Sequence, residues 1–197
     1  MYLRLLHKAL FLVLFITMIP GCGGLRFSQV APDIGDFHPE KICIFPVRAS
    51  VYEEAADKVD TLIADTVREQ GYFVSVISPA KVTEPAKNND KLEKAITEYL
   101  AKLKRVNFSD PNISNYIGET CGVDAFLVVD VDFWNYTTQG DDKLAKVGFT
   151  MDLIEARTGK IVWNAKHYET KGYKWFEPDL VDFAEEVAEA MISRMPH

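Results

Sequence analysis

The chain has 197 residues, with 22 lysines and arginines against 29 aspartates and glutamates, and its formal net charge at neutral pH is −7. This length suits a single compact domain. Phosphate backbones and anionic lipid headgroups repel a negatively charged protein. The composition therefore argues against nucleic-acid binding and against membrane attachment through a basic patch.

The first 21 residues have the form of a secretory signal peptide. Arg4 and Lys8 make a basic start, and residues 9–19 form an apolar run that only Thr17 interrupts. This run is about half the roughly 20 residues that a bilayer-spanning helix needs, and it is typical of the apolar region of a signal peptide. The alternatives are an uncleaved amino-terminal anchor, or an ordinary signal peptide followed by an incidental cysteine.

Residues 19–22, Ile-Pro-Gly-Cys, resemble the lipobox of bacterial lipoproteins. The resemblance implies transfer of diacylglycerol to the Cys22 sulfur, cleavage before Cys22 and acylation of the new amino group. Two or more acyl chains hold a protein firmly at a bilayer, whereas one holds it weakly. Gly23 stands where an aspartate tends to retain lipoproteins in the inner membrane of enteric-type bacteria, so the resemblance implies an outer-membrane anchor. Beyond this covalent lipid, no cofactor is expected.

The chain is thus predicted to have three parts. Residues 1–21 are the signal peptide, residues 22–39 are the lipidated cysteine and a tether rich in turn-forming residues, and residues 40–197 are one periplasmic α/β domain. The domain is predicted to begin with a βαβ unit, in which a strand at 41–47 and a strand at 72–77 are parallel and flank a helix at 52–71.

The second half of the domain is predicted to be helical and then antiparallel. A polar loop at 79–89 leads to helices at 90–103 and 113–120. Strands at 122–134, 144–156 and 161–169 follow with short turns between them, which predicts a three-stranded meander. A helix at 178–195 closes the chain. The predicted fold class is therefore α/β with a mixed sheet.

Three segments resemble a known family. They are Lys-Ile-Cys-Ile-Phe-Pro-Val at 41–47, Gly-Val-Asp-Ala-Phe-Leu-Val-Val-Asp-Val at 122–131 and Asp-Leu-Ile-Glu-Ala-Arg-Thr-Gly-Lys-Ile-Val-Trp at 152–163. Together they resemble the amino-terminal domain of TolB and related periplasmic lipoproteins, which include CsgG, the LpoB type of penicillin-binding-protein activator and GNA-type surface lipoproteins. The resemblance implies a TolB-like domain for residues 40–195, without the propeller of TolB or the pore hairpins of CsgG.

Two further cysteines, Cys43 and Cys121, lie within the predicted domain. Cys43 is inside a predicted strand, and Cys121 directly precedes another. An exported domain lies in an oxidising compartment, so the two thiols can form a disulfide if those strands are neighbours. Alternatively, both are free thiols that pack as small apolar side chains.

No catalytic grouping is visible in the sequence. There is no Ser-His-Asp pattern, glycine-rich phosphate loop or paired-carboxylate signature, and His167 is the only histidine in a predicted strand, so no enzymatic activity is expected. Asp130, Asp132 and Asp152 share a region of the predicted sheet and could bind a divalent cation. The favoured alternative is a solvated strand end, or ion pairs with Lys146 or Lys166, so no metal site is predicted.

Aromatic side chains are concentrated late in the chain. Five of them are candidates for a partner-binding surface, since exposed aromatic side chains are common anchors at interfaces: Trp134, Tyr136, Tyr173, Trp175 and Phe176. The alternative is that they fold back and cover the core.

The expected function is that of an outer-membrane lipoprotein whose domain binds a protein partner as an accessory or assembly factor of an envelope complex. A subunit of an oligomeric ring or secretion pore, and a small-ligand-binding domain, are the alternatives.

Overall fold

The computed structural model describes residues 25–35 and 37–197. The predicted signal peptide at 1–21 and the predicted lipidation site at Cys22 lie outside the described residues. The described strands are β1 (Phe27–Val30), β2 (Lys41–Ile44), β3 (Ser75–Ile77), β4 (Ala125–Gln139), β5 (Asp142–Glu155) and β6 (Ile161–Tyr173). The helices are α1 (Ala56–Gln70), α2 (Pro79–Lys87), α3 (Asp90–Val106), α4 (Pro111–Cys121) and α5 (Leu180–Ile192), and a 3₁₀ turn, Glu53–Ala55, leads into α1.

The strands form one mixed sheet in the order β1-β6-β5-β4-β2-β3. β2 is parallel to both β3 and β4, with Ile42 opposite Val76 on one side and Ala125 on the other. β4, β5 and β6 are antiparallel neighbours. The predicted α/β class is confirmed, with its βαβ unit, following helices, meander and carboxyl-terminal helix.

The sheet separates two hydrophobic cores. Helices α1 and α5 pack on one face, where Ile63 and Val187 join the strand residues Leu127 and Met151. Helices α2, α3 and α4 contribute to the other core, around Phe126 and Tyr99. Because β2 and the start of β4 are covered on both faces, their sequence is an almost continuous apolar run.

Within the segment predicted to be a tether, residues 22–39, residues 27–30 form the edge strand β1, which the sequence did not predict. β1 runs antiparallel to β6, with Phe27 opposite Lys166 and Val30 opposite Trp163. All four of its residues are exposed, so the strand has no apolar alternation that a sequence pattern could reveal. Backbone pairing with the edge of β6 forms this strand, and the Trp163 indole N–H donates to Ser28 Oγ over 3.0 Å.

Residues 79–87, predicted to be a loop, form helix α2. Pro79 is in its first turn, where the missing N–H leaves no hydrogen bond unmade. Val82 is buried against the second core. Pro79 is therefore compatible with a short helix, which its buried valine holds against the sheet.

Candidate functional site at the distal end of the meander

The meander extends far beyond the parallel part of the sheet. β2 pairs only with residues Ala125–Leu127 of β4, whereas β4 continues to Gln139 and stays paired with β5 throughout. β6 accompanies them as far as Tyr173, which lies opposite Lys143. The three strands therefore form a ribbon that continues past the parallel part of the sheet with α5 packed on it, and its far end carries the β4–β5 turn and the segment before α5.

A β-bulge in β4 changes the directions of its side chains. Val131 lies opposite Phe149 but Phe133 lies opposite Gly148, so Asp132 is the additional residue. Beyond the bulge the alternation is reversed, and Trp134 points into the first core with only 5% of its surface exposed. The prediction of Trp134 as a partner-binding residue is wrong, because the bulge turns the indole inward.

The other four predicted aromatic residues lie together at the end of the ribbon, and we call them the distal tip: Tyr136, Tyr173, Trp175 and Phe176. Trp175 is 90% exposed, Phe176 is 89% exposed and Tyr136 is 40% exposed. The Tyr136 and Tyr173 rings meet edge to face with their centroids 5.9 Å apart. The structure thus brings these four residues to one place and leaves two large apolar side chains in solvent.

Contacts on both sides hold the segment that carries Trp175 and Phe176. The Tyr136 hydroxyl donates to the Pro178 carbonyl over 2.8 Å, and the Tyr173 hydroxyl donates to Glu177 Oε1 over 3.3 Å. Partial desolvation, followed by the charge of Glu177, raises the pKa of both phenols. Both hydroxyls therefore stay protonated and able to donate at neutral pH.

Helix α5 fixes the other end of this segment. Asp179 is its N-cap, and its carboxylate accepts hydrogen bonds from the backbone N–H groups of Val181, over 2.6 Å, and Asp182, over 3.4 Å. The next turn buries Phe183 in the first core. The exposed aromatic side chains consequently project from a segment anchored at both ends.

A second feature, the aromatic pair Phe133 and Tyr168, lies on the other face of the ribbon. Their rings meet edge to face at 5.2 Å, and the Lys146 ammonium lies 3.4 Å from the centroid of Phe133. The Arg26 guanidinium covers the Tyr168 ring at 3.7 Å. Gly148 makes room for the pair, because a Cβ there would overlap Tyr168. The sequence prediction missed this cluster, although a glycine inside a strand is a signal of such close approach.

The three aspartates considered as cation ligands are engaged with side chains of the protein. Asp130 pairs with Arg48. Asp132 accepts from Thr150 Oγ1 over 2.7 Å and pairs with Lys166 over 3.4 Å. Asp152 accepts from Asn164 Nδ2 over 2.5 Å. Within residues 25–35 and 37–197, no group of three or more histidine, cysteine or acidic side chains is arranged to hold a metal ion.

His167 is buried beside β1. Its Nδ1 accepts from the Arg26 backbone N–H over 3.4 Å, and its Nε2 lies 3.1 Å from Glu169 Oε1. The Nδ1 contact therefore joins the residue before β1 to β6, whereas the Nε2 contact lies within β6. The histidine has a structural role in this arrangement.

The two domain cysteines are free thiols in the structure, so the possible disulfide between Cys43 and Cys121 is not formed there. Cys43 is buried in β2, and Cys121 ends helix α4 with part of its surface exposed. Both contribute to the second core, as the alternative prediction holds. Burial raises the pKa of both thiols, that of Cys43 more strongly.

A cleft of about 770 Å³ lies between residues 33–35 and 37–39 on one side and the end of α4 on the other. Charged groups line it, and two of them, Lys160 and Asp33, form an ion pair at 2.6 Å. A small-ligand site is usually an apolar pocket with a few convergent polar groups. This cleft does not have that character, so the small-ligand alternative receives no support from its lining.

Among the helices that the structure describes, none has the length and apolar character to span a bilayer.

Comparisons with known proteins identify the fold. Neither the protein-family models nor the curated proteins match the sequence. Among solved structures, the chain is similar to the PelC dodecamer from Paraburkholderia phytofirmans, with 17% identity and a TM-score of 0.54 over 87% of this chain and 97% of that one. It is also similar to lipoprotein GNA1162 from Neisseria meningitidis, with 19% identity and a TM-score of 0.53 over 80% of this chain and all of that one. The chain therefore shares the fold of these proteins.

Proposed function

We propose that this protein is a lipoprotein of the bacterial outer membrane that faces the periplasm and acts as an accessory or assembly subunit of an envelope complex. Acyl chains on Cys22 would hold it at the membrane, and its domain would bind partner proteins of a secretion, transport or cell-wall system. The role is non-catalytic and uses no cofactor beyond the covalent lipid.

The observation that carries this proposal is the exposed distal tip at the end of the ribbon, which fits a contact with another component of the envelope. Large apolar side chains exposed on a fixed scaffold are a feature of interaction sites, because their exposure is unfavourable unless something covers them. The lipobox-like residues 19–22 and the fold shared with lipoprotein GNA1162 support the location.

Tethering is the proposed mechanism. Confinement to one membrane raises the effective concentration of the domain near other components of that membrane, so moderate affinities are enough for assembly. The net charge of −7 limits attraction to anionic headgroups, which leaves the acyl chains as the main source of retention.

The lipid anchor is tested by metabolic labelling with palmitate. The native chain should incorporate label and remain with the membrane fraction after a high-salt wash, and Cys22→Ala should do neither. A Cys121→Ala chain is the matched control and should behave as the native chain does. Cross-linking in intact cells, followed by mass spectrometry, should then recover defined envelope proteins with the native chain and lose them with Cys22→Ala. Firm membrane retention of an unlabelled Cys22→Ala chain would contradict the proposal.

A subunit of an oligomeric ring is the second candidate. It is favoured by one observation, that the PelC structure with this fold is a dodecamer and this chain covers 97% of it. The mass of the detergent-solubilised protein by light scattering separates the two roles. A single large oligomer of defined size supports the ring, and a monomer supports the accessory subunit.

A further inference from the structure

The path of β1 places the proposed lipid anchor and the distal tip at the same end of the molecule. β1 is antiparallel to β6, so the chain followed back from Phe27 towards Cys22 runs in the direction of Tyr173. Contacts of Arg26 agree with this direction, since its Nε donates to the Tyr168 carbonyl over 3.1 Å. Leu25 is thus level with Tyr168, partway along the ribbon.

Covalent geometry limits how far Cys22 can lie from that point. Two residues, Gly23 and Gly24, lie between Cys22 and Leu25, so a fully extended chain spans at most about 11 Å over the three steps from Leu25 to Cys22. From Tyr168 to Tyr173, β6 advances five residues, or about 17 Å. The end of the ribbon therefore lies about 6 Å beyond the farthest position that Cys22 can reach in this direction.

From this we propose that the distal tip contacts the lipid bilayer itself, and that Trp175 and Phe176 insert into the interface of the membrane that holds the acyl chains of Cys22. The inference rests on the lipid anchor of the proposed function. A ribbon that reaches about 6 Å past the anchor enters the headgroup layer when it points towards the membrane, because this layer is about 5–8 Å deep on each side.

The chemistry of the tip fits an interfacial position. Tryptophan and phenylalanine favour the boundary between headgroups and acyl chains, and Lys174 beside them can keep its ammonium among the headgroups. Asp141 and Asp142, in the neighbouring turn, oppose binding to anionic lipids. The contact should therefore depend on apolar insertion and persist on zwitterionic vesicles.

Tryptophan fluorescence of the full acylated chain in phosphatidylcholine vesicles tests this contact. Trp134 and Trp163 are buried in the core, so vesicle-dependent changes report on Trp175. We expect a blue shift of the emission, quenching by lipids brominated on their acyl chains and a severalfold fall in quenching by acrylamide. Trp175→Phe should lose these changes while it keeps the fold and the anchor.

A matched control moves the reporter to the opposite end of the domain. Phe108 is 51% exposed, and its neighbour Asn107 lies beside Ala31 and Pro32, past the end of β1 farthest from Cys22. In the double variant Trp175→Phe, Phe108→Trp, the new indole should stay open to acrylamide and insensitive to brominated lipid.

Two outcomes would overturn the inference. If the protein floats with the vesicles but acrylamide quenches Trp175 equally well with and without vesicles, the tip does not contact lipid. The proposed lipid anchor is then still supported by the flotation. If Trp175 is shielded from acrylamide without vesicles, in a particle of several copies, the tip is an interface between copies. Absence of both acylation and flotation would instead refute the proposed anchor, and the inference with it.

Discussion

The guanidinium of Arg48 pairs with the carboxylate of Asp130 and joins the segment after β2 to the middle of β4. Backbone hydrogen bonds reinforce this junction, from Arg48 N to Val129 O at 2.9 Å and from Val131 N to Arg48 O at 3.1 Å. Arg48 Nε and Nη1 are buried, and no residue in the described part of the chain accepts from them. Asp130 is therefore the main counter-charge of a largely buried cation.

Removing that carboxylate should destabilise the fold. Asp130→Ala leaves a buried guanidinium without its partner, and we expect a loss of about 3 kcal/mol in the free energy of unfolding, measured by urea denaturation. The double variant Arg48→Met, Asp130→Ala removes both charges and should regain most of the loss. A loss below about 0.5 kcal/mol for Asp130→Ala would mean that the pair behaves as an exposed salt bridge.

Gly148 should not tolerate a side chain. A Cβ there would overlap Tyr168 and lie 3.0 Å from the His167 carbonyl oxygen and 3.1 Å from Phe133 Cδ2. Gly148→Ala should reduce the free energy of unfolding by about 1–3 kcal/mol, because backbone and ring atoms must shift. Gly172→Ala is the control, since its Cβ would approach only Leu144 Cδ2, at 3.8 Å, and its effect should be close to zero. Equal effects of the two substitutions would argue against the packing of the Phe133–Tyr168 pair.

The two tryptophans that the sequence groups together should respond differently to truncation. Trp134→Ala empties a core position and should cost about 3–5 kcal/mol of unfolding free energy. Trp175→Ala should change it by less than about 0.5 kcal/mol, because the side chain is exposed. Thermal and urea unfolding of both variants check this. A small effect of Trp134→Ala would contradict the inward position of this indole in the first core.

Stability should depend on pH through Asp152. Burial raises the pKa of this carboxyl above its usual value of 3.8, against the lowering effects of the Asn164 hydrogen bond and the charge of Arg48. The folded state therefore binds this proton more tightly than the unfolded state. The resulting stabilisation is complete below the unfolded pKa and disappears as the pH rises through the folded pKa.

Asp152→Asn should consequently be more stable than the native chain at pH 7, since the amide oxygen can still accept from Asn164 without a buried charge. The advantage should shrink as the pH falls towards 4 and disappear below it. Urea unfolding of both proteins between pH 3 and 7 measures it. If the stability advantage of Asp152→Asn over the native chain grew as the pH fell, this prediction would be contradicted.

Alkylation should find two free thiols in the domain. In denaturant without reductant, both Cys43 and Cys121 should react, as mass spectrometry of tryptic peptides can count. In the native protein Cys121 should react slowly and Cys43 hardly at all, because the thiolate is the nucleophile and burial raises the pKa of Cys43 strongly. Protection of both in denaturant until reductant is added would reveal a disulfide.

Local patterns in the sequence were sufficient for most of the architecture. The apolar run at 41–47, the helical spacing at 52–71 and the alternation through the meander predict the βαβ unit and the three antiparallel strands that the structure contains. The lipobox-like residues 19–22 predict an envelope location in the same way. All these signals are local, since each depends on residues a few positions apart.

Only the tertiary structure decided which aromatic residues are available to a partner. One additional residue, Asp132, reverses the alternation of β4, and an alternating pattern cannot locate such a bulge because it depends on the pairing with β5. Likewise, β1 exists because the edge of β6 offers unpaired backbone groups, which four exposed residues do not reveal by themselves. That long-range pairing sets the direction of the chain towards Cys22, and with it the end of the molecule that faces the membrane in our proposal.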